Sequence, residues 1–387
     1  MADLTAIFGG DFMSPVADPY AAYRRLRDAQ PVVELDLWMG PGRLVTRYDD
    51  VRAVLTDPLT YSSHANANGI GLVMGRTILE MDGAEHTRHR GIIAPAFVPK
   101  ALRSDLPELI AGIVDELIDG FATDGEAELV AQFTSTIPIR VIAHVIGIPM
   151  EDYTTFHAWG LDIIGFTSDP PRGFAAAQQL VEFLRPLIAA RRAAPRADLI
   201  SRLVHAEVDG ARLTDEEIYS FLRLLLPAGA ETTFRLIGNL LFALLSHPPA
   251  LAAVRADPAR LDWAMEETLR WESPVQMASR ETTREATLGG VALPAGAMVL
   301  LALGSANRDE RRFAEPDAFR LDRRPEDHMG FGFGRHFCLG AHLARLEART
   351  AVSRLVARLP ELRLAGGTDP GVTGLAFRSP TSLPVVF

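Results

Sequence analysis

Along most of the chain apolar residues recur every three or four positions, and only a few stretches alternate. A period near 3.6 marks a helix with one face turned to a core, and alternation marks a half-buried strand. Asp18-Pro19 reads as a cap and first-turn proline opening a helix that reaches residue 29. Alternation at 32–35 and 44–46 gives two strands, followed by a helix from residue 49. Residues 61–84 carry Asn, Gly and His without period and read as one long loop, a length usually kept for function. Helical patterns follow at 85–94, 102–120, 134–146, 151–165 and 174–192, and 191–196 reads as an Ala, Arg and Pro connector. Thr214-Asp215-Glu216-Glu217 is a capping box, and the helix it opens persists to Ser246. Two further helices are expected at 249–257 and 261–271, then a small sheet over 280–303 around Gly289-Gly290. Residues 306–330 are irregular, a helix runs from near Cys338 to about 359, and 379–387 forms a loop and a last strand. With no internal repeat and no Gly- or Ser-rich linker, the pattern predicts one domain over residues 1–387, mainly α with a small β region.

Composition narrows this picture only modestly. Hydrophobic residues make up 48% and charged residues 23%, ordinary values for a soluble globular protein. The formal net charge of −10 argues against nucleic acid or an anionic membrane as partner, since both require a basic face. There is no apolar run of about 18 residues and no signal-peptide pattern at the start, so a cytoplasmic protein without a membrane span is expected. Cys338 is the one cysteine, which precludes an internal disulfide and places any thiolate chemistry on that residue.

The segment around it is FGFGRHFCLG, residues 331–340. Gly332 and Gly334 permit positive φ and close approach of the main chain to a flat ligand. Backbone N–H groups can then aim at the sulfur, and a helix opening just beyond Cys338 favours the thiolate. Gly340 removes a side chain where that helix would press on a ring. A buried structural cysteine in a glycine-rich turn is the competing reading.

The segment resembles the haem-binding loop of the cytochrome P-450 superfamily, F-G-x-G-x-H-x-C-x-G, and matches it at every fixed position. Further features in the right order extend the resemblance over essentially the whole chain. It implies a triangular, predominantly helical domain with haem b between a long distal helix and a proximal helix that follows Cys338, the ligand to iron. Phe331, Gly332 and Gly340 would lie against the cofactor. Glu267 and Arg270 match the family's E-x-x-R pair and share one helix face; with Arg323 they would hold the cysteine loop, a structural role. Ala228-Gly229-Ala230-Glu231-Thr232-Thr233 resembles the segment over the distal haem face. There Thr232 would hydrogen-bond the oxygen or its water, Glu231 would relay protons, and Gly229 would leave room for dioxygen. A helical threonine can equally bond the carbonyl four residues back. Pro227, one position earlier, should kink the helix. His86 and Arg90, four apart, match a propionate-binding H-x-x-x-R, and Arg280 and His336 fall at two further propionate positions. Arg88 and His89 should face elsewhere and be exposed.

The resemblance implies an O₂-using monooxygenase acting on a lipophilic small molecule. A peroxide-using haem-thiolate enzyme and a haem-based sensor or carrier are the alternatives; neither has evident use for the Glu231–Thr232 pair. The substrate would lie among Ile70, Leu72, Val73, Ile163, Phe166, Leu225, Val275, Met277 and Phe377. No G-x-G-x-x-G opens a helix after a strand, so no fused reductase is expected. Electrons should reach a monomeric enzyme from a separate ferredoxin or flavodoxin, guided by arginines such as Arg76, Arg88, Arg345 and Arg349 near the cysteine loop.

Overall fold

The longest element is the helix Asp215–Ser246, 32 residues and so roughly 48 Å long. It forms where the sequence announces it. The Thr214 hydroxyl accepts the Glu217 N–H and the Glu217 carboxylate accepts the Thr214 N–H. In a computed structural model that describes residues 3–37, 40–149, 153–367 and 370–387, this long helix is the axis of the packing. Against it lie the helices Thr136–Ile146, Tyr153–Ile164, Arg260–Trp271 and Ala341–Arg358. Apolar residues nearly all round the long helix are buried, as its position inside the largest core cluster requires. Pro227 lies within it, and the helix continues through that point without interruption.

A five-stranded sheet stands beside the helices, its strands in the order Val32–Leu37, Gly40–Val45, Met298–Ala302, Met277–Thr282, Tyr61–Ser62. All neighbours are antiparallel except Met298–Ala302 with Gly40–Val45. The register sets Arg280 opposite Val299 in the sheet interior. Ala286–Leu288 and Val291–Leu293 form a hairpin, and Gly289 and Gly290 both take positive φ, as a two-residue turn of matching twist needs.

Several boundaries differ from those the sequence predicts. The stretch 61–84 is not structureless: it holds the short strand Tyr61–Ser62, a 3₁₀ turn Ser63–Asn68 and one helical turn Gly71–Met74. The helix expected at 174–192 starts earlier, at Pro170, because Asp169 caps it and prolines suit a first turn; it reaches Ala193, into the expected connector. Leu199–His205, capped by Asp198, was not foreseen, being too short to show a clear period. The helix after Cys338 starts at Ala341, beyond the loop. The start of the expected 151–165 helix lies outside the described residues, and the remainder is Tyr153–Ile164 followed by a 3₁₀ turn.

Candidate active site

Cys338 sits in a loop shaped by glycines. Gly332 and Gly334 have φ of 70° and 71°, the region that costs other residues strain. A Cβ on Gly334 would also lie 2.5 Å from the carbonyl oxygen of Leu55, so the loop can pack on the helix Tyr48–Thr56 only with glycine there. The Cys338 N–H donates to the Phe331 carbonyl at 2.9 Å and the Gly332 N–H to that of Met329 at 2.9 Å, closing the loop on itself. At Gly340 an added Cβ would meet nothing within 4 Å, because that side faces open cavity. Burial pushes the Cys338 thiol up; the Gly340 N–H and the charges of Arg90 and Arg345 pull it back only in part. Burial thus outweighs the backbone N–H and the two charges at this sulfur.

The loop is held from behind by Glu267 and Arg270, both fully buried. Arg270 donates to both Glu267 oxygens at 2.8 Å and also to the carbonyls of Asn307, Pro316 and Ala318. Arg323 donates to Glu267 Oε1 at 3.0 Å, as does the Arg320 N–H. Every charge in this cluster is therefore answered, which a buried pair requires. Asn307 Oδ1 accepts the Met329 N–H, carrying the order on to the base of the cysteine loop.

Cys338, Gly340, Phe331 and Gly332 line one wall of a cavity of about 740 Å³, and Ala228, Gly229, Thr232 and Thr233 of the long helix line another. The Thr232 hydroxyl donates to the Ala228 carbonyl at 2.8 Å, which leaves its lone pairs free to accept from the cavity. Glu231 is not part of this lining. It is buried on another face of the helix, with Oε1 3.2 Å from His157 Nε2 and Oε2 3.9 Å from Arg235. Gly229 lines the cavity, and its lack of a side chain also serves packing. Its missing Cβ would lie 2.8 Å from Ile142, so glycine permits the helix Thr136–Ile146 to pack closely. Thr233 also faces the cavity, although a 100° step from Thr232 would turn it away in a narrower space.

The same cavity carries buried cations. Arg280 is 7% exposed and donates to the Ser279 carbonyl; Arg90 is half-buried and donates to the Phe337 carbonyl at 2.7 Å. Among the described residues neither has an ion-pair partner, and burial pulls the pKa of both down. His86, its ring tilted against that of His336 at 4.2 Å, is held down to about 4 by burial and then by His336 and Arg90, and among the described residues its Nε2 has no hydrogen-bond partner. Buried positive charge left uncompensated requires an anion. The two carboxylates of a haem supply it, the glycine-lined wall suits a flat ring, and Cys338 supplies a sulfur. These residues fit the group. Arg88 is exposed as expected and pairs with Asp209. His89 is not: it is buried beside Phe221, with Nδ1 on the Glu85 carbonyl, because the helix Gly83–Ile93 is covered on that side too.

Of the expected substrate contacts, Ile70, Phe166, Leu225, Val275, Met277 and Phe377 line the cavity. Leu72 is 52% exposed, while Val73 and Ile163 point into the core. Their neighbours Met74 and Ile164 take the lining positions, a one-residue rotation that periodicity alone could not fix. Arg76, Arg345 and Arg349, expected to guide a redox partner, are paired with Glu85, Glu266 and Asp262. His157 had no sequence signal, since a single histidine in an amphipathic helix resembles any other.

No single helix among the described residues is long and apolar enough to cross a membrane. The family model described as Cytochrome P450 matches residues 165–360. The cytochrome P450 monooxygenase PikC of Streptomyces venezuelae is 40% identical over 377 residues, covering 94% of this chain and 88% of that protein. The vitamin D(3) 25-hydroxylase of Pseudonocardia autotrophica is 39% identical, covering 94% and 91%. The solved structure of the polyketide synthase cytochrome P450 PksS of Bacillus subtilis superposes with a TM-score of 0.88 at 35% identity, over 96% of this chain and 97% of that one. Cysteine loop, buried Glu–Arg cluster, long helix and near full-length likeness agree: the chain belongs to the cytochrome P450 family and is an oxidoreductase of the monooxygenase type.

Proposed function

We propose that the chain is a haem b monooxygenase that inserts one atom of O₂ into a lipophilic small molecule and reduces the other to water. One observation carries this reading: a single cavity with Cys338 and Gly340 on one wall and Ala228, Gly229 and Thr232 on another. Cys338 would ligate the iron, Phe331, Gly332 and Gly340 would bed the ring, and His86, Arg90, Arg280 and His336 would hold the propionates. Bound there, the haem supplies oxygen activation, with thiolate donation favouring O–O cleavage. The side chains do the rest. Thr232 accepts a hydrogen bond at the cavity wall and orients a proton donor, and Glu231 brings protons from the buried face behind it. Apolar side chains exclude water that would otherwise deliver protons without selection. The test is the spectrum of the reduced, CO-treated protein. Wild type should show the red-shifted Soret band of a thiolate haem, and Cys338→Ser should lose it. A band unchanged in Cys338→Ser would overturn the assignment.

The substrate reading rests on the largely apolar cavity wall, where Ile70, Phe166, Leu225, Val275, Met277 and Phe377 meet. A terpenoid, steroid or aromatic compound suits it, and a titrated library should reveal binders by their spin-state shift of the Soret band. Residues 1–387 are read as one catalytic unit, a cytoplasmic monomer that draws electrons from a separate ferredoxin or flavodoxin.

A further inference from the structure

Glu231 is 2% exposed and lies off the cavity wall, so a proton that it delivers has to reach it from outside. Among the described residues, two charged or titratable groups face its carboxylate. Arg235, on the same helix, lies 3.9 Å from Oε2 and is itself anchored to the Ser379 hydroxyl and over the Phe377 ring. An arginine holds its charge but does not give up a proton. His157, on the helix Tyr153–Ile164, places Nε2 3.2 Å from Oε1, and its side chain is 26% exposed. Although close, this contact lacks hydrogen-bond geometry, and Oε1 has no other partner. A small rotation of either side chain would align the two for proton transfer.

We propose that His157 is the solvent-side proton donor to Glu231, completing a path from solvent through His157 and Glu231 to Thr232. The imidazolium of His157 gives its Nε2 proton to Glu231 Oε1, leaving a neutral imidazole and a neutral carboxylic acid. Neutral Glu231 is no longer drawn to Arg235 and can swing towards Thr232. There it passes the proton to the donor that Thr232 orients and returns as a carboxylate, while a proton taken up from solvent recharges His157. Imidazole suits this place because one ring nitrogen can accept a proton while the other donates one. The proposal rests on the reading of Glu231 and Thr232 given above.

The test compares haem-loaded His157→Gln and His157→Asn with Glu231→Gln and wild type, using one substrate that shifts the Soret band. In both His157 variants, haem content and that shift should match wild type. O₂-driven product formation should fall by roughly ten-fold or more, with a larger solvent isotope effect in D₂O. Turnover driven by hydrogen peroxide, which brings the oxygen already reduced and protonated, should stay near wild type. A parallel fall in O₂-driven and peroxide-driven turnover would assign His157 a structural role and overturn the proposal. Unchanged O₂-driven turnover in the His157 variants, with Glu231→Gln slowed, would overturn it and leave the Glu231 relay standing. Should Glu231→Gln itself be without effect, the relay reading falls and His157 with it.

Discussion

Thr232 is the residue on which the distal chemistry turns, and its geometry makes a specific demand. With its proton committed to the Ala228 carbonyl, the hydroxyl can only accept from the cavity, so it positions a donor rather than acting as one. Thr232→Ala should still bind substrate and consume O₂. Product per electron should nonetheless fall by roughly ten-fold, the balance appearing as hydrogen peroxide, because an unguided water now delivers the proton. Full coupling in Thr232→Ala would remove that role. Thr233 cannot serve as the neutral comparison, since it lines the same cavity. The cations make a second demand. Arg280 is buried without an ion-pair partner among the described residues and Arg88 is exposed and paired with Asp209, so of these two it is Arg280 that awaits an anion. Arg280→Ala should weaken haem retention by on the order of 3 kcal/mol, read as haem transferred to an apoprotein acceptor. Arg88→Ala should leave it unchanged.

At the scale of elements, the cysteine loop is framed by ion clusters that join separate helices. Glu266 of Arg260–Trp271 receives Arg345 of the following helix at 2.6 and 2.8 Å and His328 of the preceding segment at 2.8 Å. Burial pushes its carboxyl up, but hydrogen bonds from Arg345 and His328 outweigh this and hold it at about 2. The folded value lies below the ordinary 4.5, so the stabilisation is present above pH 4.5 and is lost as pH falls through about 2. At about 1.4 kcal/mol per pKa unit it amounts to up to about 3 kcal/mol. Glu266→Gln should therefore lower stability at neutral pH and flatten the acid limb of the unfolding midpoint, measured by denaturant titration from neutral pH downwards. An acid limb as steep as that of wild type would show that other carboxylates carry it.

For the whole molecule the question is how a chain of net charge −10 would attract the acidic electron carrier proposed above. Arg76, Arg88, Arg345 and Arg349 are each engaged with an acid, which dilutes their field. Beside the cysteine loop, Arg335 and Arg52 are exposed and have no ion-pair partner among the described residues, and Phe337 is 41% exposed. Arg335→Glu combined with Arg52→Glu should slow reduction by a ferredoxin roughly ten-fold at low salt and flatten its dependence on ionic strength. Rates that remain as salt-sensitive as in wild type would place the docking face elsewhere.

How far the chain could be read in advance follows the range of the forces involved. The capping box at Thr214, the positive-φ glycines of the cysteine loop and the Glu267–Arg270 pair are local: each is fixed by spacing along one element, and each lies where the sequence puts it. Which face of a helix meets the cavity is not local. Ile163 and Ile164 are equally apolar, and so are Val73 and Met74, so a rotation of one residue is decided only by what packs opposite. Gly229 tells the same story, since its need for a missing side chain comes from Ile142, 87 positions earlier in the chain. The sequence by itself determined the helical class, the glycine-shaped cysteine loop and the residues bearing charge, because patterning and backbone conformation are properties of neighbouring residues. Tertiary structure alone decided that Glu231 turns from the cavity to His157, that His89 is buried, and that four arginines are neutralised, because burial and Coulomb pairing depend on distances between segments far apart in sequence.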